Sequence, residues 1–153
     1  MRSLVNANVN VKTKRVESCR FAFAVHVMAV LALRRDELCP STLLARTVNT
    51  NPVVIRRLLL DLQSAGLVET QRGPAGGARL ARAPGRIKVR DIYKAVEEPR
   101  LFAAHRRKPS KACPVGSMIE PVLADLFRRG SRALEREFES ISLDSLARKI
   151  RRG

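Results

Sequence analysis

The hydrophobic positions of the chain follow helical periodicity over most of its length. A run of thirteen residues, Phe21 to Leu33, is interrupted only by His26. It predicts a first helix that Ser18 caps and that ends near Arg35. Because this helix is apolar on nearly every side, more than one face must be covered. The domain core covers one face, and a second chain could cover another.

Two shorter segments with helical spacing follow, separated by a tight turn at 49–50. The first is predicted over 41–48, with Ser41 as its cap. The second begins at Asn51 and Pro52, a strong start because Asn is a good N-cap and Pro suits the first helical position. It runs to Ala65, and Gly66 ends it. Its inward positions are Ile55, Leu58, Leu59 and Leu62.

A β-hairpin with a long tip is predicted after this helix. Residues 67–70 form a short β-pattern, 72–77 a glycine-rich loop, and about 78–82 the return strand. Another helix is predicted over roughly 89–96. The fold class is therefore mainly α with a small β-hairpin wing, a winged helix-turn-helix followed by a long C-terminal helix.

The long C-terminal helix is predicted from about Val115 to Ser140, after an irregular, basic stretch at 98–114. Spacing by three and four gives it one apolar face, which either pairs with a second chain or packs within its own. Ser142 or Asp144 caps a last short helix with a basic end. The face consists of Ile119, Val122, Leu123, Leu126, Phe127, Ala133, Leu134 and Phe138.

Four parts of the chain are thus expected. They are a flexible leader at 1–16, the winged helix-turn-helix domain at 17–97, the irregular loop at 98–114, and the long helix with a basic tail at 115–153.

The charge favours a polyanionic partner. The chain has 30 Lys+Arg against 14 Asp+Glu, a net charge of +16, and each cation placed on a phosphate releases a counterion. Nucleic acid is the leading partner, with an anionic membrane as the rival. The apolar run of thirteen residues is too short to span a bilayer, so no membrane is expected. No signal-peptide pattern is present, and the three cysteines are widely spaced, which favours a reducing, cytoplasmic location.

The helix over 51–64 is the candidate reader of double-stranded DNA, since its N-terminal residues can meet base edges in the major groove. Arginine can bond guanine bidentately, and Val53 could touch a thymine methyl group. Glycines let the wing approach a sugar–phosphate backbone. A solvated helix face is the alternative for the arginines, but the basic wing favours binding. The predicted DNA-binding residues are Ser41, Asn49, Thr50, Asn51, Pro52, Val53, Arg56, Arg57, Arg72, Gly73, Gly76, Gly77 and Arg79.

The sequence from about residue 18 to residue 150 resembles the Rrf2 family of bacterial regulators. The resemblance implies a homodimer, usually a repressor, on a palindromic operator, with the reading helices in successive major grooves and the wings in the minor groove. It also makes the long helix the dimerisation helix. The motifs that carry it are Arg20-Phe21-Ala22, Val25-His26, the stretch 49–57, Ala65-Gly66-Leu67-Val68, Arg72-Gly73 with Gly76-Gly77, and the stretch 91–97.

The chain departs from the family in its sensor chemistry. Many members hold an iron–sulfur cluster on three closely spaced cysteines, whereas this loop offers only Cys113, with His105 nearby. No iron–sulfur cluster or other cofactor is therefore expected, and the chain is similar to the cluster-free subgroup typified by YwnA. Cys113 and Cys19 both lie near helix starts among cations, which favours thiolate. A thiol redox switch and bystander thiols both stay open, and Cys39 receives no role.

The sequence also bears on other classes of function. The motifs of an enzyme are missing, because there is no phosphate-binding glycine loop after a long strand, no paired histidine motif and no serine elbow. His26 fits a buried core position better than a metal site. A non-specific nucleic-acid-binding protein is disfavoured by the lack of an aromatic stacking platform. A regulator that responds to a small metabolite remains an alternative, and its effector is unknown.

Overall fold

The computed structural model describes residues 19–98 and 101–153. The predictions of a leader at 1–16 and of a cap at Ser18 lie outside the described residues. The described part contains six α-helices, one two-stranded antiparallel hairpin and a short 3-10 turn at Pro84–Arg86. The predicted fold class is confirmed. The elements are α1 Arg20–Leu33, α2 Ser41–Val48, α3 Pro52–Ser64, β1 Val68–Gln71, β2 Gly77–Leu80, α4 Val89–Val96, α5 Pro114–Ser140 and α6 Leu143–Arg152.

Helix α1 lies at the centre of the domain. It contacts α2, α3, α4, α6 and β2, as its apolar sequence requires. Its fully buried residues include Ala24, Val27 and Met28, and these pack with the inward residues of α3 and with Leu143 of α6. Burying one such large side chain is worth roughly 1.5–3 kcal/mol. The core is thus aliphatic and is organised around one helix.

Helix α3 begins where the sequence predicts and ends one residue early, at Ser64, with Ala65 as its C-cap. Asn51 is its N-cap, and its side-chain oxygen accepts a hydrogen bond from the Val53 N–H at 2.8 Å. At the other end, Gly66 has a φ of +67°. The Leu67 N–H donates to the Leu62 carbonyl at 2.9 Å, so Leu67 completes the helix end. This is why β1 begins at Val68 and not at the predicted residue 67.

Three other predicted boundaries differ from the structure by one or two residues. Ser41 does not cap α2, because Pro40 is the N-cap and Ser41 is the first helical residue. Helix α1 ends at Leu33, since the Arg34 N–H closes the last turn onto Val30. Helix α5 begins at Pro114, with Cys113 as its N-cap, so the irregular stretch is one residue shorter. Ser142, and not Asp144, caps α6 by accepting from the Ser145 N–H at 3.2 Å.

The hairpin is held against the connector between α1 and α2. Its register pairs Val68 with Leu80 and Gln71 with Gly77. Near its loop end, Cys39 and Ala78 exchange two backbone hydrogen bonds of 2.9 Å each, so the connector pairs with β2 through one isolated bridge. A Cβ atom on Gly77 would lie only 2.6 Å from the Cys39 carbonyl carbon. Glycine is therefore required at this position by the packing of backbone on backbone.

Helix α5 has two different sides. One side packs within the chain, where the rings of Phe21, Tyr93 and Phe138 meet at centroid distances of 5.4–5.6 Å. Farther toward its N-terminus, Phe127 stacks on Phe102 of the preceding loop at 5.1 Å. The other side carries apolar side chains that remain exposed. The long helix thus continues beyond the core that anchors it.

We expect Gly77→Ala to destabilise the protein by about 1–3 kcal/mol, the usual cost of forcing a group into a filled space. The added methyl group must push the Cys39 backbone away from the loop end of the hairpin. Urea unfolding followed by circular dichroism measures the effect. Gly85→Ala is the matched control, because nothing lies within 4 Å of a Cβ atom there. Equal stability of the two variants would contradict this account of the packing at Gly77.

Candidate nucleic-acid interface

The outward side of α3 is the centre of the candidate interface. Because its buried stripe faces α1 and α4, the remaining side chains project from the domain surface. Val53, Arg56 and Arg57 are all exposed there. Pro52 at the first helical position is partly buried, which fits its role in starting the helix. The structure therefore brings the predicted reading residues onto one open helix face.

The turn before α3 is fixed by backbone geometry. Asn49 adopts the left-handed conformation, with a φ of +58°, and ends α2. The Thr50 N–H then donates to the Ala45 carbonyl at 2.9 Å. Asparagine tolerates this conformation better than most residues. Asn49 and Thr50 thus set the angle between the two helices, whether or not they also touch DNA.

A cleft of about 490 Å³ joins α3 to the hairpin and to the start of α2. Arg56 of α3 and Arg72 of the hairpin loop both line it. Ser41 and Thr42 line it at the first turn of α2, where none of the described side chains caps the helix. Unpaired N–H groups at a helix start and two guanidinium groups all favour an anion. The cleft can therefore accept a phosphate group of a nucleic-acid backbone.

The remaining wing residues have partners of their own. Arg79 bonds Glu69 across the two strands, with two hydrogen bonds of 3.0 and 3.1 Å to one carboxylate oxygen. Arg82, also a basic residue near the wing, donates to the Gly66 carbonyl at 3.1 Å and so stabilises the end of α3. Both arginines are therefore engaged in hydrogen bonds within the protein. Arg72, in contrast, forms no ion pair among the described residues.

The three glycines of the wing, Gly73, Gly76 and Gly77, lie in different surroundings. Gly77 lies against Cys39, and a Cβ atom on Gly76 would lie 2.1 Å from the Gln71 carbonyl oxygen. Internal packing alone explains these two. Gly73 has a φ of +105° with open space around it, so it is the glycine at the accessible tip. The sequence offered no means of separating these roles, since packing distances are not visible in it.

One apolar residue of this surface was not singled out from the sequence. Leu60 is exposed on α3 and lines the cleft, whereas Val54 is exposed on the adjoining side of the same helix, away from the cleft. Leu60 follows Val53 by seven positions, a spacing that returns to the same helix face. This seven-residue spacing is the feature of the sequence from which Leu60 could have been identified.

The predicted dimerisation residues divide between the two sides of α5. Phe127 and Phe138 stack on rings of their own chain, and Leu134 lines a small cavity beside Tyr93. Ile119 and Leu123 are also partly buried. Val122 and Leu126 are each 57% exposed. Val115 and Met118, which were not in the predicted set, continue the exposed strip along the same side.

The three cysteines have contrasting environments. Cys113 is exposed at the N-cap of α5, where the N–H groups of Gly116 and Val115 lower the pKa of its thiol. Cys39 is buried beside β2, and that burial raises the pKa of its thiol. Cys19 is exposed at the N-cap of α1. The surroundings of Cys113 thus favour its thiolate form.

The described residues do not offer an iron–sulfur site within one chain. Such a cluster needs several thiolates that converge, and the loop before α5 contributes only Cys113. Within residues 19–98 and 101–153, no group of three or more histidine, cysteine, aspartate or glutamate side chains could hold a metal ion. The expectation that the protein has no cofactor stays a prediction.

None of the helices described over 19–98 and 101–153 combines the length and the hydropathy that a membrane crossing requires.

Comparison with protein families identifies one match. Residues 18–149 match the model of the Rrf2 family, described as an iron-dependent transcriptional regulator. This range includes nearly all of the fold described above. It agrees with the range over which the sequence motifs resemble that family.

Individual relatives agree with the family match. YwnA of Bacillus subtilis (strain 168), which carries the name of an HTH-type transcriptional regulator, is 38% identical over 125 residues, 81% of this chain and 91% of that protein. A protein from Lactobacillus plantarum, solved as a candidate transcriptional regulator, is 29% identical with a TM-score of 0.75 over 87% of this chain and 90% of that one. The cysteine regulator CymR of B. subtilis is 24% identical, with a TM-score of 0.65 over 86% of this chain and 95% of that one, and shares the fold. All are regulators and not enzymes.

We expect Cys113 to be alkylated much faster than Cys39 at pH 7. The lowered pKa of the Cys113 thiol keeps more of it as thiolate, the reactive form, as the pH falls below the usual cysteine range. The raised pKa and the burial of Cys39 act in the opposite direction. Iodoacetamide labelling between pH 6 and 9, read by mass spectrometry, gives both rates. A Cys113 rate that follows the pH as an ordinary thiol does would contradict the assignment.

Proposed function

Since the chain belongs to the Rrf2 family of DNA-binding transcription regulators, we propose that it acts as a homodimeric repressor on a palindromic operator. The observation that carries the proposal is the shared cleft, where Arg56 of the exposed α3 face and Arg72 of the wing lie beside the start of α2. In this arrangement α3 enters the major groove and the wing follows the backbone beside it. The net charge of +16 supports binding to a polyanion.

The residues have distinct roles in this proposal. Arg56 and Arg57 contact base edges or nearby phosphates from α3, because neither forms an ion pair among the described residues. Arg72 contacts the sugar–phosphate backbone from the wing, with Gly73 at the tip. Ser41 and the first turn of α2 bind another phosphate. Asn49, Thr50, Asn51 and Pro52 hold α3 at the angle that this contact requires.

A dimer follows from the exposed strip of α5. Val115, Met118, Val122 and Leu126 are spaced by three and four residues and are each more than half exposed. A continuous apolar strip of this kind on a helix favours pairing with a second copy. Two reading helices related by a twofold axis then meet two half-sites about 34–36 Å apart, one turn of the duplex.

We also propose a redox response through Cys113, supported by its exposure and by the lowered pKa of its thiol. The thiolate sulfur attacks one oxygen of a peroxide, the O–O bond breaks and hydroxide leaves, giving a sulfenic acid. The uncharged product loses its attraction to the N-terminus of α5. Operator affinity that peroxide leaves unchanged in both the wild type and Cys113→Ser would remove this part of the proposal.

We expect Arg56→Ala or Arg57→Ala to weaken binding to the operator by about 1–3 kcal/mol where the arginine contacts a base. Arg72→Ala should instead weaken binding to all sequences and reduce the salt slope by about one. Fluorescence anisotropy with a selected operator and with random DNA, at several salt concentrations, separates these effects. Arg148→Ala on α6 removes the same charge elsewhere and is the control. If both α3 arginines could be removed without loss of affinity, α3 would not be the reader.

We expect Val122→Glu combined with Leu126→Glu to convert a dimer into a monomer, because carboxylates buried in an apolar interface are strongly unfavourable. Analytical ultracentrifugation measures the mass, and the circular dichroism spectrum should stay unchanged. Ala124→Glu is the control, since Ala124 is exposed on a different side of the same helix. A wild type that is monomeric at high concentration would contradict the dimer.

A further inference from the structure

The part of α3 that points most directly away from the core is apolar. Successive residues of an α-helix are rotated by about 100°, so the four buried positions of α3 define the inward direction. Val53 and Leu60 lie almost opposite to it, one above the other. They are 52% and 63% exposed. We refer to these two side chains as the apolar ridge.

Cationic side chains flank the apolar ridge. Arg56 lies on one side of it and Arg57 on the other, at about 40–60° around the helix. Other polar groups of α3 are already engaged. Asp61 is ion-paired with α1, and the side-chain oxygen of Gln63 accepts a hydrogen bond from the Thr70 hydroxyl at 2.7 Å. The face therefore presents two arginines and an apolar centre, with little other capacity for hydrogen bonding to bases.

The major groove of DNA contains one apolar group, the 5-methyl group of thymine. An apolar ridge that enters this groove gains free energy only where it covers such methyl groups, because it can neither donate nor accept a hydrogen bond. The flanking arginines favour the duplex over a second copy of this face, since pairing two copies would bring four guanidinium groups together. Charge and hydrophobicity thus both point to DNA as the occupant.

We propose that Val53 and Leu60 determine operator specificity by covering thymine methyl groups in the major groove. Each half-site then carries thymine beneath the apolar ridge, with Arg56 and Arg57 directed to neighbouring guanines or phosphates. The inference rests on the proposed function, in which α3 enters that groove. It adds the chemical identity of the base that the centre of the helix recognises.

The experiment removes the methyl groups without changing the base pairing. An operator is first obtained by selection from random DNA with the purified protein. Duplexes are then made in which uracil replaces thymine at one position at a time. We expect a loss of about three- to fivefold in affinity for each covered methyl group, the change that burial of one such carbon gives. Equal affinity for uracil and thymine at every position would overturn the inference.

Variants assign the effect to the two residues. Val53→Asn and Leu60→Asn replace the methyl groups of each side chain by a polar amide, so each should lose the thymine-to-uracil discrimination at its own position. Val54→Asn is the matched control, because Val54 is 41% exposed on the same helix but lies about 100° away from Val53. It should keep the full discrimination. Circular dichroism and thermal unfolding confirm that each variant is folded.

Failure of this inference is distinct from failure of the proposed function. If selection enriches no sequence, the protein is not a sequence-specific regulator and both are overturned. If a sequence is enriched but uracil substitution has no effect, only the inference fails. If Val53→Asn and Leu60→Asn bind the operator normally but alter self-association, the apolar ridge is a protein contact and the inference is overturned as well.

Discussion

The burial of α1 is the constraint on which the rest of the structure depends. A helix that is apolar on almost every side must be covered over most of its surface. Helices α2, α3, α4 and α6 and strand β2 contact it, and the side with Ala22 and His26 stays exposed, so the expected core position of His26 is wrong. Each of these elements buries one apolar side, and α1 fixes the direction in which that side faces. The opposite sides, which on α3 carry both the arginines and the apolar ridge, are thereby fixed as well.

The candidate interface is a consequence of this arrangement. With its inward residues held against α1 and α4, α3 has no freedom to bury Arg56 or Arg57. The hairpin is placed next to it by the short turn through Gly66 and by the backbone bonds between Cys39 and Ala78. Three elements therefore converge on one cleft, although none of them alone forms a binding site. Because Gly77 packs against the Cys39 backbone at the loop end of the hairpin, it also helps to place the loop that carries Arg72.

Helix α5 packs against its own chain on one side and is exposed on another. Phe138 belongs to the aromatic cluster with Phe21 and Tyr93, which attaches α5 to the domain. The exposed strip through Val122 and Leu126 is left for another surface. The family model is described as iron-dependent, yet the loop before α5 holds the single thiol of Cys113. An iron–sulfur cluster needs several converging thiolates, so the role proposed for Cys113 is a redox response instead.

The sequence by itself determined the fold class, most of the helices and the family. Caps and periodicity are local properties, so Asn51, Pro52 and Gly66 marked the limits of α3, and 89–96 was predicted as it occurs. Every property that depends on contacts between residues far apart in the chain required the tertiary structure. The sequence could not show that Arg79 is bonded to Glu69, that Gly77 lies against Cys39, or which side of α5 stays exposed. Periodicity reveals that a face is apolar, but only the packing of the other elements decides whether that face is covered.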